Sequence, residues 1–305
     1  MPRPGVAVAV AGCIAETAAT ALRLRSACRR RSGTGQAPIV SRASQARLRT
    51  CHLRARGRAP EGFGLDCLAV AERFAEFLEP TKSVDSDHPA VAAYARHRAG
   101  TARDPVEIAV RLFYAVRDDL RYDPYGVAPT DDSVRASSAL AAGRGWCVSK
   151  AALLSSCCRA LGIPARVGFA DVRNHLSTAR MREMMRTEVF YWHGYSSIWL
   201  GGGWVKATPA FNRELCEKFG LLPLDWDGRS HSLYHPYDRE GRRHMEYLRD
   251  HGEFADVPLE LMRETGRREY PHLPVAGGIA GDFEADVRAE TAPERSGLQP
   301  ARTTR

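Results

Sequence analysis

The residues best placed to do chemistry are a cysteine, a histidine and whatever stands behind the histidine. Cys147 lies in "GRGWCVSKAALLSSCCRALGIPARVGF", residues 143–169, directly after Gly-Trp and at the start of an Ala/Leu-rich run. A thiol is a useful nucleophile only as thiolate, and the unpaired N–H groups at a helix start favour that form. Of the eight cysteines, Cys147 alone reads this way. Cys158 shares its helical face but lies deeper, where a small buried hydrophobe is the natural role. Cys157 and Cys216 have no special context. The thiol needs a base, and His193, inside "FYWHGYSSIW", is the best placed of ten histidines because Gly194 leaves room beside its ring. Taken alone, His193 reads equally as a core histidine satisfied by a backbone carbonyl. His231 and His235 are four apart, but Gly228 before them and Pro236 after them argue against a metal-binding helix. His244 and His251 read as surface residues on a charged helix.

A third residue follows from the turn. Gly201 and Gly202 read as a two-residue hairpin turn, which sets His193 opposite Ala210 and Thr208 opposite Tyr195. His193 and Thr208 are then diagonal neighbours on one sheet face. A different turn length would break this pairing.

These residues need elements to hold them. Cys147, Ala151, Leu154, Cys158 and Leu161 recur at helical spacing, Gly162 ends that helix and Pro164 prevents its continuation. "ARVGFADV" reads as a strand, and "VFYWHGYSSIWL-GGG-WVKATP" as a β-hairpin after a Met/Arg-rich segment, residues 175–187. Upstream, "LDCLAVAERFAEFLEP" has helical spacing up to Pro80. "SDHPAVAAYARHRAG" predicts a helix capped by Asp87 or Ser86 and stopped at Gly100. "DPVEIAVRLFYAVRDDLRYDP" predicts another, with Asp104 as cap, Pro105 in the first turn and Glu107 closing a capping box. Its apolar stripe is Val106, Ala109, Val110, Phe113 and Val116. Helices, a central helix and then mainly antiparallel strands make an α+β protein.

At this point the sequence resembles the transglutaminase-like superfamily of papain-type cysteine enzymes. The blocks are "GWCVSKAALLSSCCRALGIPARV", "HGYSSIWLGGGWV" and "WVKATP", together covering residues 140–212, with a similar helical lead-in from about residue 75. The resemblance implies a papain-like α+β fold: a helical lobe whose central helix carries Cys147, packed on an antiparallel sheet carrying His193. It also implies a thiol acyl-transfer enzyme on an amide of a protein or peptide, hydrolysis being favoured over cross-linking, with no metal or organic cofactor. An N–H near Trp146–Val148 would bind the oxyanion. The sequence departs from the family where Asp-Pro is usual, since Thr208 stands for the aspartate. A hydroxyl lacks the charge that steadies an imidazolium, although papain-like sites work with a neutral Asn. Asn212, or Asp225 and Asp227 further on, could take the role. The alternative is a non-catalytic protein- or peptide-binding module on the same fold.

Composition bounds the rest. The 305 residues carry a net charge of +8, but residues 1–60 hold twelve arginines and one acid, Glu16, so that segment carries +11 and the remainder −3. A nucleic-acid groove on the body is therefore not supported. Residues 1–60 read as a disordered extension or as sequence ahead of the true start. A transit peptide fits the composition, and "VAGC", residues 10–13, resembles a lipoprotein cleavage box behind a short apolar run. Residues 61–270 read as the domain and 271–305 as a disordered tail. No CxxC pair is present, so reduced thiols and a cytoplasmic setting are expected. No apolar run approaches a membrane span.

Overall fold

The computed structural model describes residues 74–125, 128–174, 177–234, 241, 245–273 and 278–291. The Arg-rich segment 1–60, most of the first expected helix, His175, His235, Pro236 and His244 lie outside the described residues. The chain divides into two units, residues 1–78 and 79–305. Of the first, the described part is a 3-10 turn at Ala75–Phe77.

In the second unit the helical lobe comes first. Helix α1 (Pro89–Ala99) is capped by neither Asp87 nor Ser86 but by His88, whose Nδ1 accepts from the Ala90 amide. Helix α2 (Pro105–Asp119) starts as expected, with the Asp104 carboxylate accepting from Val106 N–H. Glu107 does not close a capping box; it pairs with Arg111 at 2.7 Å, one turn on. Short helices α3 (Asp131–Val134) and α4 (Ala136–Ala142) follow.

Helix α5 (Cys147–Ala160) is the axis of the molecule. The sequence marks one apolar face on it, yet every residue from Cys147 to Arg159 is buried. It packs against α1, α2 and α4 on one side and against the sheet on the other. A helix surrounded on all sides needs small or apolar side chains on every face, and in "CVSKAALLSSCC" only Lys150 departs from that. Its two buried cations are fully engaged. Lys150 Nζ donates to the carbonyls of Arg117 and Leu120 at 2.9 and 2.7 Å, closing the C-terminal end of α2. Arg159 donates to the carbonyls of Glu79, Ala165 and Ala255.

The sheet is antiparallel, in the order β5-β4-β3-β6, built from β3 (Ala165–Asn174), β4 (Val189–Leu200), β5 (Gly203–Ala207) and β6 (Met245–Phe254). Gly201 and Gly202, at φ +59° and +94°, make the two-residue turn, and Ser196 pairs with Ala207 and Leu200 with Gly203. That register is the one read from the sequence, but the ladder ends at Ser196–Ala207, so the expected pairs Tyr195–Thr208 and His193–Ala210 are not formed. The Met/Arg-rich connection contains helix α6 (Ala179–Met185). The short α7 (Arg213–Lys218) and the longer α8 (Leu259–Glu269) complete the middle of the unit.

Two further expectations fail. The segment carrying His251 is strand β6, not a charged helix. The tail expected to be disordered contains α9 (Phe283–Thr291), whose Phe283 and Val287 are buried. The Phe283 ring meets the rings of Tyr125 and Tyr122, with centroids 5.2 and 6.0 Å apart.

Candidate active site

Cys147 is the first residue of α5, and the backbone before it is clamped. Strands β1 (Arg121–Tyr122) and β2 (Arg144–Gly145) pair in parallel, which ties the Gly145-Trp146-Cys147 approach to the end of α2. Asn212 braces this clamp, its Oδ1 accepting from Tyr122 N–H at 3.1 Å. The Trp146 indole N–H is held by the Ser133 carbonyl, and the Trp146 amide by Ser149 Oγ.

His193 arrives from β4. The next residue must be glycine: a Cβ on Gly194 would stand 2.9 Å from Val148 Cα and 3.2 Å from the Cys147 carbonyl carbon. The strand thus lies directly on the N-terminus of the helix. Cys147 and His193 line one cavity of about 250 Å³, walled mainly by apolar and aromatic side chains including Trp146, Trp192, Met262 and Tyr270.

The electrostatics differ from the sequence expectation. Burial pushes the Cys147 thiol up to about 11, although the amides of Gly194, Val148 and Cys147 itself pull the other way. Desolvation of the thiolate outweighs the helix start. Cys157 and Cys158, deeper in the core, are pushed higher still. Burial lowers His193 to about 4. The resting pair is therefore a neutral thiol and a neutral imidazole, not an ion pair, and no hydrogen bond joins them.

The remaining candidates are placed as follows. Thr208 lies one residue past the end of β5, its amide bonded to the Ser232 carbonyl. Its hydroxyl is buried without a partner, so it makes no bond to the imidazole. Asn212 is occupied at Tyr122. Asp225, with its side chain 80% exposed, sits 3.4 Å from Arg117, and Asp227 accepts from the amides of Arg229 and Ser230. Neither Asp225 nor Asp227 lines the cavity. Val148 is fully buried under Gly194.

Sequence reading missed Asp171 and His251. Asp171 is buried in the middle of β3, and its Oδ1 meets His251 Nε2 at 2.7 Å and accepts from Trp192 N–H at 3.1 Å. The His251 imidazole stacks on the Trp192 indole at 4.1 Å and 10°. The local signal was an acid among apolar neighbours in "VGFADV", 21 residues from Trp192 and 80 from His251 in sequence.

Residues 92–209, which run from α1 through the Cys147 helix and the hairpin, match the family model of the transglutaminase-like superfamily. Among curated proteins no sequence match was found. Among solved structures, "a Putative Cysteine Protease from Cytophaga hutchinsonii" is similar at 20% identity and a TM-score of 0.34. That match covers 45% of this chain and 42% of the other, less than half of either. Among the described residues no helix is long and apolar enough to cross a membrane, and no cluster of side chains could hold a metal ion.

Proposed function

We propose that this chain is a cysteine-dependent acyl-transfer enzyme that cleaves amide bonds, a peptidase or amidase, with Cys147 as nucleophile and His193 as general base. The supporting observation is the meeting of the α5 N-terminus with Gly194, which lines one cavity with both side chains. His193 is neutral at physiological pH and so can accept the thiol proton as sulfur attacks the carbonyl carbon. The C–N bond then breaks, His193 returns the proton to the departing amine, and a thioester remains on Cys147. Water, activated by the same imidazole, releases the acid. The apolar wall suits a bulky apolar side chain beside the scissile amide.

The second reading is a binding module that has lost catalysis. It draws on the raised thiol, the lack of a thiol–imidazole bond and the unpartnered Thr208 hydroxyl. One experiment separates the two. Iodoacetamide labelling, located by mass spectrometry, should find Cys147 reacting ahead of Cys157, Cys158 and Cys216. Hydrolysis of fluorogenic peptide amides bearing Leu or Phe should disappear in Cys147→Ser. Even labelling together with no turnover would decide for the binding module.

A further inference from the structure

Between Gly194 and Phe190 the sheet is irregular. Ala170 pairs with His193 and Val172 with Phe190, so Tyr191 and Trp192 together oppose Asp171 alone. The residue immediately before His193 is therefore half of a β-bulge, and it is Trp192, at φ +62°. A bulky side chain in the left-handed region is a genuine outlier, and bulges beside active sites commonly aim a side chain. Something must hold it there.

Three contacts do. The Trp192 amide, off the ladder, donates to Asp171, and the Tyr191 amide donates to Tyr270 Oη at 3.2 Å. The Trp192 ring is held by packing, since its own N–H has no partner; His251 stacks on one face and the Phe169 ring lies at 5.7 Å. On the other side of β3 the pairing skips too: Phe169 faces Gly252 and Ala170 faces Asp250, leaving His251 as the extra residue. A second skip on that side, between Asp171–Arg249 and Val172–Tyr247, leaves out Leu248; Asp171 thus stands among the bulges and binds Trp192 in one strand and His251 in the other.

We infer that Asp171, with His251, is the positioning group for His193, holding the Trp192 bulge that sets the direction of the imidazole. The inference rests on the Cys147/His193 reading above and supplies the orienting role that Thr208 does not fill. Asp171 does not touch the reacting atoms; it acts through the Trp192 backbone.

The test is the pH profile of Cys147 alkylation by iodoacetamide, a probe small enough not to need the apolar wall. His193→Ala should slow alkylation at pH 7 about tenfold or more and leave it unchanged at high pH, where the thiol ionises unaided. Asp171→Ala should reproduce that profile. Asp171→Asn, which keeps an acceptor for the Trp192 amide, should restore most of the rate. A folded Asp171→Ala protein with the wild-type profile, or Ala and Asn variants slowed alike, would overturn the inference. If Asp171→Ala does not fold, His251→Ala carries the test: it removes the stack and the partner of Asp171, and it should slow the reaction at pH 7 only. A wild-type profile there would count against the inference equally. If His193→Ala itself has no effect, the Cys/His reading falls, and the positioning role with it.

Discussion

Cys147 and His193 show how burial overrides local electrostatics. A helix N-terminus stabilises a thiolate by a modest amount, whereas taking the charge out of water costs more, and the thiol ends near 11. The same burial lowers His193 from its ordinary 6.5 to about 4. Between those values the unfolded chain binds a proton that the folded chain refuses, so stability is lost as pH falls below about 6.5. The loss should reach about 3 kcal/mol at pH 4. Chemical denaturation of the wild type and His193→Gln at pH 7 and pH 4 checks this. The wild type should lose more than the variant by roughly that amount, and equal losses would show that His193 is not buried as a neutral base. Turnover, in the same logic, should persist down to about pH 4, because the imidazole remains the free base.

Among the elements, the contact between α5 and β4 decides whether the site exists. Its tightest point is Gly194, where a methyl group would enter the space of Val148 Cα at 2.9 Å. Backbone on both sides cannot yield as a flexible side chain would. Gly194→Ala should therefore cost about 1–3 kcal/mol of stability. It should also slow Cys147 alkylation at pH 7, because relief requires the strand to move away from the helix. Thermal unfolding and the labelling rate measure the two effects, and a stable variant with an unchanged rate would refute the close packing. The other end of this arrangement is Lys150, whose Nζ closes α2 from one turn below the thiol. Burial lowers it to about 7, and its two carbonyl partners are the reason a lysine can stand inside the core.

On the scale of the whole molecule, the C-terminal helix is part of the domain. α9 places Phe283 and Val287 in the core, and Asp286 bonds both Arg180 and the Tyr125 hydroxyl. Phe283 backs Tyr122, which lines the Cys147 cavity and belongs to the β1–β2 clamp. Deleting residues 282–305 should remove about 3–6 kcal/mol from these two apolar side chains alone and lower the thermal midpoint by many degrees. An unchanged midpoint would return the segment to the status of a dispensable tail.

The sequence alone determined the features that are local. The start of α5 at Cys147, its stop at Gly162, the Gly201-Gly202 turn and the hairpin register follow from periodicity and turn chemistry within some twenty residues. These were enough for an α+β reading and to single out Cys147 and His193, while the transglutaminase-like expectation came from the resemblance of three sequence blocks. Tertiary structure decided what depends on distant partners. β6 read as a helix because its bulges break the alternation that marks a strand, leaving "MEYLRDHGEF" with scattered charges. Asp171 and His251 lie eighty residues apart and meet only through the β3–β6 pairing. Asn212 and Asp225, both open candidates in the sequence, proved to be committed to Tyr122 and placed beside Arg117. The protonation state of the site was also invisible locally, since it depends on how completely the lobe and the sheet together exclude water from the thiol and the imidazole.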